Sequence, residues 1–338
     1  MKYNGFFFPL LIMLFFALLN PSFTKAQKPL NHDTAYFVTY PHTLVGRFYF
    51  SKKYTSFTLP AANGGQDIDY KPNTLLTMGI GATYNNLTLN LAYGFGFLNN
   101  GNDAKGKTKS IDLQAHFFPH KWALDLLALD HKGLYIEQKG YAADNPGAYY
   151  YRPDVKQLFL GVSGYRVMNP ERFSYNAAFT QNEWQKKSAG SLLLGGLVYY
   201  GQIKGDSSLV PEKIENSFPE AAGINNISFF SVGVGGGYAY TLVMAKHFYI
   251  TGSLIGNVQA NFSTVENMDD KKSRTVINPS VIYKASAGYN SDSWDISVNW
   301  AATDLWVKGN YFFDDFIVPV GNYRIIFSKK IALGKHKH

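Results

Sequence analysis

Cysteine is absent from the 338 residues. That excludes a disulfide framework, a thiolate zinc site, an iron–sulfur cluster, a cysteine nucleophile and a lipidated cysteine at a processed N-terminus. Charge is scarce as well: Asp, Glu, Lys and Arg supply 17% of the chain, against roughly 25% in an average globular domain. The surplus of 32 Lys and Arg over 24 Asp and Glu is scattered, without the basic stripe or module of a nucleic-acid-binding protein, so nucleic acid is not an expected partner. Beyond the first segment there is no long unbroken apolar run, so no transmembrane helix is expected, and no Pro- or Ser-rich linker marks a second domain. Aromatic residues fill the gap, with 26 Phe, 24 Tyr and 5 Trp making 16% of the chain. A chain so aromatic and so sparsely charged calls for an apolar environment.

Lys2 precedes an apolar run of fourteen residues from Phe6 to Leu19, broken only by Pro9, and Thr24, Ala26 and Gln27 frame a cleavage point. A helix of that length falls short of the roughly 20 residues needed to cross a hydrocarbon core. Residues 1–26 therefore read as a secretory signal peptide, cleaved near Ala26.

Most of the remaining chain has period two. Leu87, Leu89, Leu91, Tyr93, Phe95 and Phe97 alternate with Thr88, Asn90, Ala92, Gly94 and Gly96, and Asn85-Asn86 offers a tight turn before them. Trp294, Ile296, Val298 and Trp300 likewise alternate with Asp295, Ser297, Asn299 and Ala301. Successive strand side chains point to opposite faces, so each run has one bulky apolar face and one small or polar face. A soluble sandwich would place many Lys, Glu and Asp on the second face. Gly, Ala, Ser, Thr and Asn suit a narrow lumen instead. The runs match the roughly 9–11 tilted residues that cross a bilayer, and a strand-built span must close on itself, because lipid offers no partner to an open edge. The expected fold class is all-β: a transmembrane antiparallel β-barrel of the outer membrane over residues 43–333. A periplasmic or plug segment, 27–42, precedes it, and a polar tail, 334–338, ends the chain.

The candidate strands, from Thr43–Leu59 through Arg172–Thr180 to Tyr323–Ile331, are odd in number, whereas single-chain bacterial barrels are normally even. The sequence places the fault around Thr180 to Asn226 or near a terminus. About twelve strands are expected, with fourteen as the neighbouring count.

Chemical motifs are few. Gly233-Val234-Gly235-Gly236-Gly237 is followed by Tyr238, not by the last glycine of a dinucleotide loop, and Gly161-Val162-Ser163-Gly164 by Tyr165, not by the last glycine of a nucleophile elbow. His116 and His120 have a metal-ligand spacing on a helix, but Pro119 lies between them and the pattern is β. No metal and no cofactor are expected. The lumen candidates are Asp112, Gln114, His116, Asp125, Glu137 and Lys284, with Tyr249 beside them. A hydrolytic set would join Ser188 or Ser191 to His116 and to Asp112 or Glu183; Asp112 and His116 on one strand stand about 13 Å apart, so a second strand would have to supply partners. The densest polar segment, Gln181, Asn182, Glu183, Trp184, Gln185, Lys186, Lys187 and Ser188, reads either as an ordinary loop or as a site for an anionic or carbohydrate group. Lys271, Lys272 and Arg274 form a small basic patch.

The stretch from Arg172 to Ser191, with Tyr175-Asn176-Ala177-Ala178-Phe179-Thr180-Gln181 and Glu183-Trp184-Gln185-Lys186-Lys187, resembles the most recognisable segment of a Bacteroidetes family, the domain of unknown function 4421. Phe117-Phe118-Pro119 with Trp122 and Asp125, and Gly237-Tyr238-Ala239-Tyr240-Thr241, also resemble it. The resemblance implies a cell-envelope protein of a Gram-negative organism, brings no activity, and adds weight to Gln181 to Ser188. The leading expectation is a non-enzymatic integral outer-membrane barrel, structural, adhesive or passing small solutes through a narrow lumen. The alternatives are a lipid hydrolase with a Ser/His site at the rim, and an accessory subunit of an export or envelope-assembly machine that makes contact through Lys204 to Asn226. Outer-membrane lipid and lipopolysaccharide are the expected partners, together with an envelope protein in the last case.

Overall fold

A computed structural model describes residues 32–40, 43–62, 65–84, 87–119, 121–219, 221–267, 270–308 and 315–333. The expected signal segment, the Asn85-Asn86 turn, His120 and the tail 334–338 lie outside the described residues. The described chain forms sixteen strands: β1 (Phe37–Thr39), β2 (Thr43–Thr55), β3 (Phe57–Leu59), β4 (Ile68–Pro72), β5 (Leu76–Tyr84), β6 (Leu87–Tyr93), β7 (Lys109–Phe117), β8 (Trp122–Ile136), β9 (Tyr151–Val167), β10 (Glu183–Gln185), β11 (Ala189–Lys204), β12 (Asn226–Met244), β13 (Phe248–Glu266), β14 (Lys271–Asn290), β15 (Trp294–Lys308) and β16 (Asp315–Ala332). One short helix, α1 (Tyr175–Phe179), lies between β9 and β10. Among the described residues no helix is long and apolar enough to cross a membrane.

Antiparallel ladders close a ring of ten strands in the order β15, β14, β13, β12, β11, β9, β8, β4, β3, β16 and back to β15. Twelve of the sixteen strands have seven residues or more, and these are the runs that sequence alternation picks out. Two arrangements share the wall between β16 and β8. Towards the end with long connections, the short β3 and β4 bridge β16 to β8. Towards the end with short turns, β2, β5 and β6 extend from β16 while β7 extends from β8. Among the described residues no ladder joins β6 to β7.

Outward faces are apolar, and inward faces carry the polar and charged residues in the middle and at the short-turn end of the barrel. Val234 is 73% exposed and Ile277 75%, values that would be an aggregation hazard in water and that lipid requires. On β8 the lipid-facing side runs from Trp122 to Lys132, ten residues apart. That is about 33 Å along the strand and about 25 Å across the bilayer at a tilt near 40°, the height of an outer-membrane apolar band. At the short-turn end an aromatic girdle lies on the outer surface: Phe248 packs on Tyr289 at 5.2 Å, Tyr289 stacks on Trp294 at 4.7 Å, and Trp294 on Phe327 at 6.3 Å. The chain is thus a transmembrane β-barrel of the outer-membrane type.

The interior is filled. In the half near the long connections, Leu129, Leu134, Phe159, Leu197, Tyr199, Ile203 and Phe229 are buried, and Leu209, Val210, Phe218 and Ile224 fold in from the 205–225 connection to join them. The ring of Tyr199 lies over Gly161 on β9, and that of Phe229 over Gly201 on β11, so the glycines make room for aromatic filling where a Cβ would collide with it. The connection is fastened outside the band. Arg152 donates to both carboxylate oxygens of Asp154 at 2.8 and 2.7 Å and to Ser208 O at 2.7 Å, Asp206 N donates to Asp154 at 2.9 Å, and Tyr70 OH donates to Leu209 O at 2.6 Å.

One expected strand is replaced. Arg172–Thr180 is a turn followed by α1, because Ser174 Oγ accepts from Ala177 N at 3.0 Å and caps a helix start. The adjacent Ala177 and Ala178 are both buried, which a strand with one exposed face would not allow. Removing this run turns the odd count even, and the fault lies just before the stretch where it was expected. The sequence also misses β1, β4 and β10, whose three to five residues are too short for periodicity to register.

Two outcomes are expected. Phe159→Ala leaves a cavity in the filled half and lowers stability by about 3–5 kcal/mol, read by denaturant unfolding in lipid vesicles. The Arg152 guanidinium, chiefly through its hydrogen bonds, holds the Asp154 carboxyl at about 2, below the ordinary value near 4. A depressed carboxyl contributes stability above its unfolded value and loses it as pH falls towards the folded one, so protease cleavage within 205–225 should rise as pH drops from about 4 to about 2.

Candidate functional site

At the short-turn end the segment between β9 and β11 turns into the lumen and plugs it. β10 pairs with β1 in a two-stranded sheet, and α1 sits among inward side chains of the wall. The carbonyl of Ala178 accepts from Tyr249 OH at 3.1 Å and Ser286 Oγ at 2.9 Å, that of Ala177 from Asn290 at 3.3 Å, and that of Thr180 from Arg47 at 2.6 Å. A five-residue helix leaves its last carbonyls without intrahelical partners, and the barrel wall supplies them. Gln181, 1% exposed, adopts a left-handed φ of 54° and donates to Ala178 O and Ser297 Oγ, both at 3.1 Å.

The candidate binding residues are largely spent on this plug. Asn182 accepts from Arg47 at 3.3 Å and Glu183 accepts from Ser174 Oγ. Trp184 donates to Lys246 O at 2.8 Å and stacks on His247 at 5.0 Å. Gln185 accepts from Ser174 N at 3.0 Å and donates to Arg172 O at 2.6 Å. Lys186 lies over the Trp184 ring and Lys187 over Tyr36, while Ser188 Oγ accepts from Val243 N at 2.9 Å. In the structure these amides and hydroxyls are engaged in internal hydrogen bonds.

Deeper in the lumen stands a charged cluster. Asp125 on β8 places Oδ1 2.6 Å from His116 Nδ1 and Oδ2 2.7 Å from Lys284 Nζ, and accepts from Ser163 Oγ at 3.3 Å. Asn322 on β16 donates to Gln114 at 2.8 Å and lies 3.4 Å from His116 Nε2. A small cavity touches His116, Asp125, Lys284, Leu127 and Thr303. Nearer the long connections Lys53 pairs with Asp112 at 3.0 Å and Ser110 Oγ lies 2.8 Å from His131 Nδ1. Nearer the plug Lys330 pairs with Asp295 at 2.9 Å and donates to Asn290 at 3.1 Å.

Of the six lumen candidates, Asp112, Gln114, His116, Asp125 and Lys284 face inward, and the last four meet around one cluster. Glu137 does not: β8 ends at Ile136, and Glu137 pairs with Lys71 on the outer surface, half-exposed. The hydrolytic set is not assembled. Ser188 accepts from the backbone of Val243 on β12, and Ser191 bonds the backbone of Asn169 and of Leu192 on β11, while His116 is held by Asp125 and Asp112 by Lys53. Ser110 and His131 do pair, but His131 Nε2 has no hydrogen-bond partner, so no acid orients that imidazole. Among the described residues no group of three or more His, Asp or Glu is placed to hold a metal ion. Arg47, Lys53, Asn322 and Lys330 escape the sequence reading, although each stands at an inward position of an alternating run, where a charge or amide facing the lumen signals a buried partner.

A family model described as domain of unknown function (DUF4421) matches residues 31–324. No curated protein matches the chain. Among solved structures, the outer membrane protease OmpT from Escherichia coli is similar at 11% identity and a TM-score of 0.31, over 87% of this chain and 97% of that one. The toluene transporter TodX of P. putida is similar at 5% identity and 0.27, over 88% and 92%. Ail, the attachment invasion locus protein of Yersinia pestis, is similar at 11% identity and 0.21, over 63% and 99%. Likeness this low carries no functional argument.

Asp125→Ala leaves Lys284 buried without its carboxylate and should lower stability by about 3–5 kcal/mol. Asp125→Leu combined with Lys284→Met removes both charges and should recover most of that loss in denaturant unfolding. A double variant no better than Asp125→Ala alone would mean that the pair is not coupled.

Proposed function

The chain belongs to the family described as domain of unknown function (DUF4421), and from the geometry of its lumen we propose that it works as a closed, non-enzymatic barrel of the outer membrane with a structural or adhesive role. One observation carries the reading: the segment from Arg172 to Ser188 fills the short-turn mouth, and its carbonyls are bonded to the wall through Arg47, Tyr249, Ser286 and Asn290. The apolar filling of the opposite half, with Leu209, Val210 and Phe218 folded into it, supports the same reading over passage of small solutes. The 205–225 connection puts its bulky side chains inward, which disfavours it as the contact of an accessory subunit. The unassembled serine and histidine set disfavours lipid hydrolysis. Short turns at the plugged end and long connections at the other support a periplasmic plug and external loops, in a Gram-negative envelope reached after signal-peptide cleavage near Ala26.

The test is electrical. Full-length mature protein in planar bilayers should show no stable channel steps, whereas a variant that loses the fillings of both ends, with residues 172–187 and 205–225 each replaced by a short Gly-Ser linker, should conduct. Large, stable conductance from the unaltered protein would overturn the closed-barrel reading. Faster gel migration before boiling than after it, for both proteins, establishes that each has folded as a barrel.

A further inference from the structure

Four lysines stand abreast on the outer wall. Lys109 on β7 is the register partner of Lys132 on β8, Lys132 of Lys156 on β9, and Lys156 of Lys204 on β11. All four are exposed. Their neighbours in the chain point into the barrel, Ser110 and His131 bonding each other and Gln157 and Ile203 being buried, so the lysines face away from it. With strands about 4.8 Å apart the row spans about 14 Å. Like charges directly opposite one another in a sheet repel and destabilise the pairing, and here three such pairs lie side by side.

The carboxylates near the row do not balance it. Asp130, one outward position below, pairs with Lys156 at 3.0 Å. Glu266, two strands beyond Lys204, attracts it at longer range but pairs with Lys271 at 2.7 Å and accepts from Asn226 at 2.8 Å, and Asp154 is occupied by Arg152. Lys109, Lys132 and Lys204 have no ion pair among the described residues. Continuing around the wall, the register partners are Asn226, then Glu266 with Lys271, so the uncompensated charge is confined to β7, β8, β9 and β11.

The row also has a fixed height. Below it in register lie Ile111, Asp130, Leu158 and Gln202, then Leu113, Ala128, Leu160 and Tyr200, then Ala115, Leu126, Val162 and Val198. That is positive charge above a wall that is mixed at the first level, with Ile111 and Leu158 beside Asp130 and Gln202, and apolar below it, at the membrane boundary on the side with long connections. A ligand that satisfies both levels is an amphiphile with acyl chains and an anionic head.

We propose that Lys109, Lys132, Lys156 and Lys204 form a binding site on the outer wall for a phosphorylated lipid headgroup of the outer leaflet, whose acyl chains lie against Ile111, Leu158 and Leu160. The site rests on the chain being a barrel of the outer membrane. It accounts for the aligned like charges, since phosphate groups between neighbouring ammonium groups turn cross-strand repulsion into attraction.

The experiment compares the full mature chain with its Lys109→Gln, Lys132→Gln, Lys204→Gln triple variant, both folded in zwitterionic micelles. The probes are fluorescent bisphosphorylated lipid A, the same lipid with its phosphates removed, and inorganic pyrophosphate. The variant should bind bisphosphorylated lipid A about a hundredfold more weakly, at roughly fivefold per lysine near an anionic headgroup. Dephosphorylated lipid should bind the two proteins alike, and millimolar pyrophosphate should not displace the phosphorylated lipid. Melting supplies a readout that a merely structural role would not move. Without anionic lipid the variant should melt no lower than the parent, because repulsion has been removed, and added lipid A should raise the melting temperature of the parent alone.

Equal binding by the two proteins would overturn the site. So would efficient displacement by pyrophosphate, which would assign the lysines to a free anion instead of a lipid. Loss of the faster-migrating unboiled band in the parent would mean that the membrane reading itself has failed, and the lipid site with it; that outcome is read from the gel independently of binding.

Discussion

Backbone hydrogen bonding in lipid is the constraint on which the rest of this molecule depends. Each strand N–H and C=O inside a bilayer needs a protein partner, since no water is there to replace one. The ladders from β11 through β16 answer that need along most of the length of each strand, and β3 and β4 complete the ring where the long strands between β16 and β8 divide into two sets. Once the ring closes, alternation leaves no choice about the two faces. One side of each strand lies against lipid and must be apolar, while the other converges on an interior too narrow to be left empty.

The protein fills that interior in three different ways along its axis. Near the long connections the filling is aromatic and aliphatic, with Tyr199 and Phe229 lying over glycines of the neighbouring strands. In the middle it is ionic, around Asp125, where His116 and Lys284 each bond one carboxylate oxygen. At the short-turn end it is backbone, because the carbonyls exposed by a helix too short to bond them all are taken by Arg47, Tyr249, Ser286 and Asn290. The three fillings are linked: a plug with unsatisfied carbonyls would not stay in a dry mouth, and a buried aspartate would not stay charged in a dry interior without its partners.

Much of the wall was legible in the sequence, and much of the plug was not. Trp294, Ile296 and Val298 opposite Asp295, Ser297 and Asn299 announce their faces by position alone. Phe173, Tyr175, Ala177 and Phe179 show the same spacing yet form a turn and a helix. A period-two pattern in a segment buried on all sides carries no information about direction, and the serine that caps the helix decides between the two conformations. Gln181 to Ser188 stand out in the sequence as a polar cluster, and they stand together in the structure. Its purpose was hidden because Lys246, Ser297 and Arg47, which meet it, lie scores of residues or more away in the chain.

By itself the sequence determined the environment and the periodicity: a lipid-facing apolar surface, a small or polar inner face over part of the lumen, strands of membrane-crossing length and the kinship of the Arg172 to Ser191 stretch. These are local properties, set by composition and by the two-residue repeat of an extended chain. Only the tertiary structure decided which inward charges meet, that Glu137 stands outside the barrel, that the polar segment turns inward, and that four lysines from four strands share one height. Each of these depends on ladder register, and register is chosen by the closing of the whole ring, through pairings as distant as Thr43 with Ala332, which no window along the chain contains.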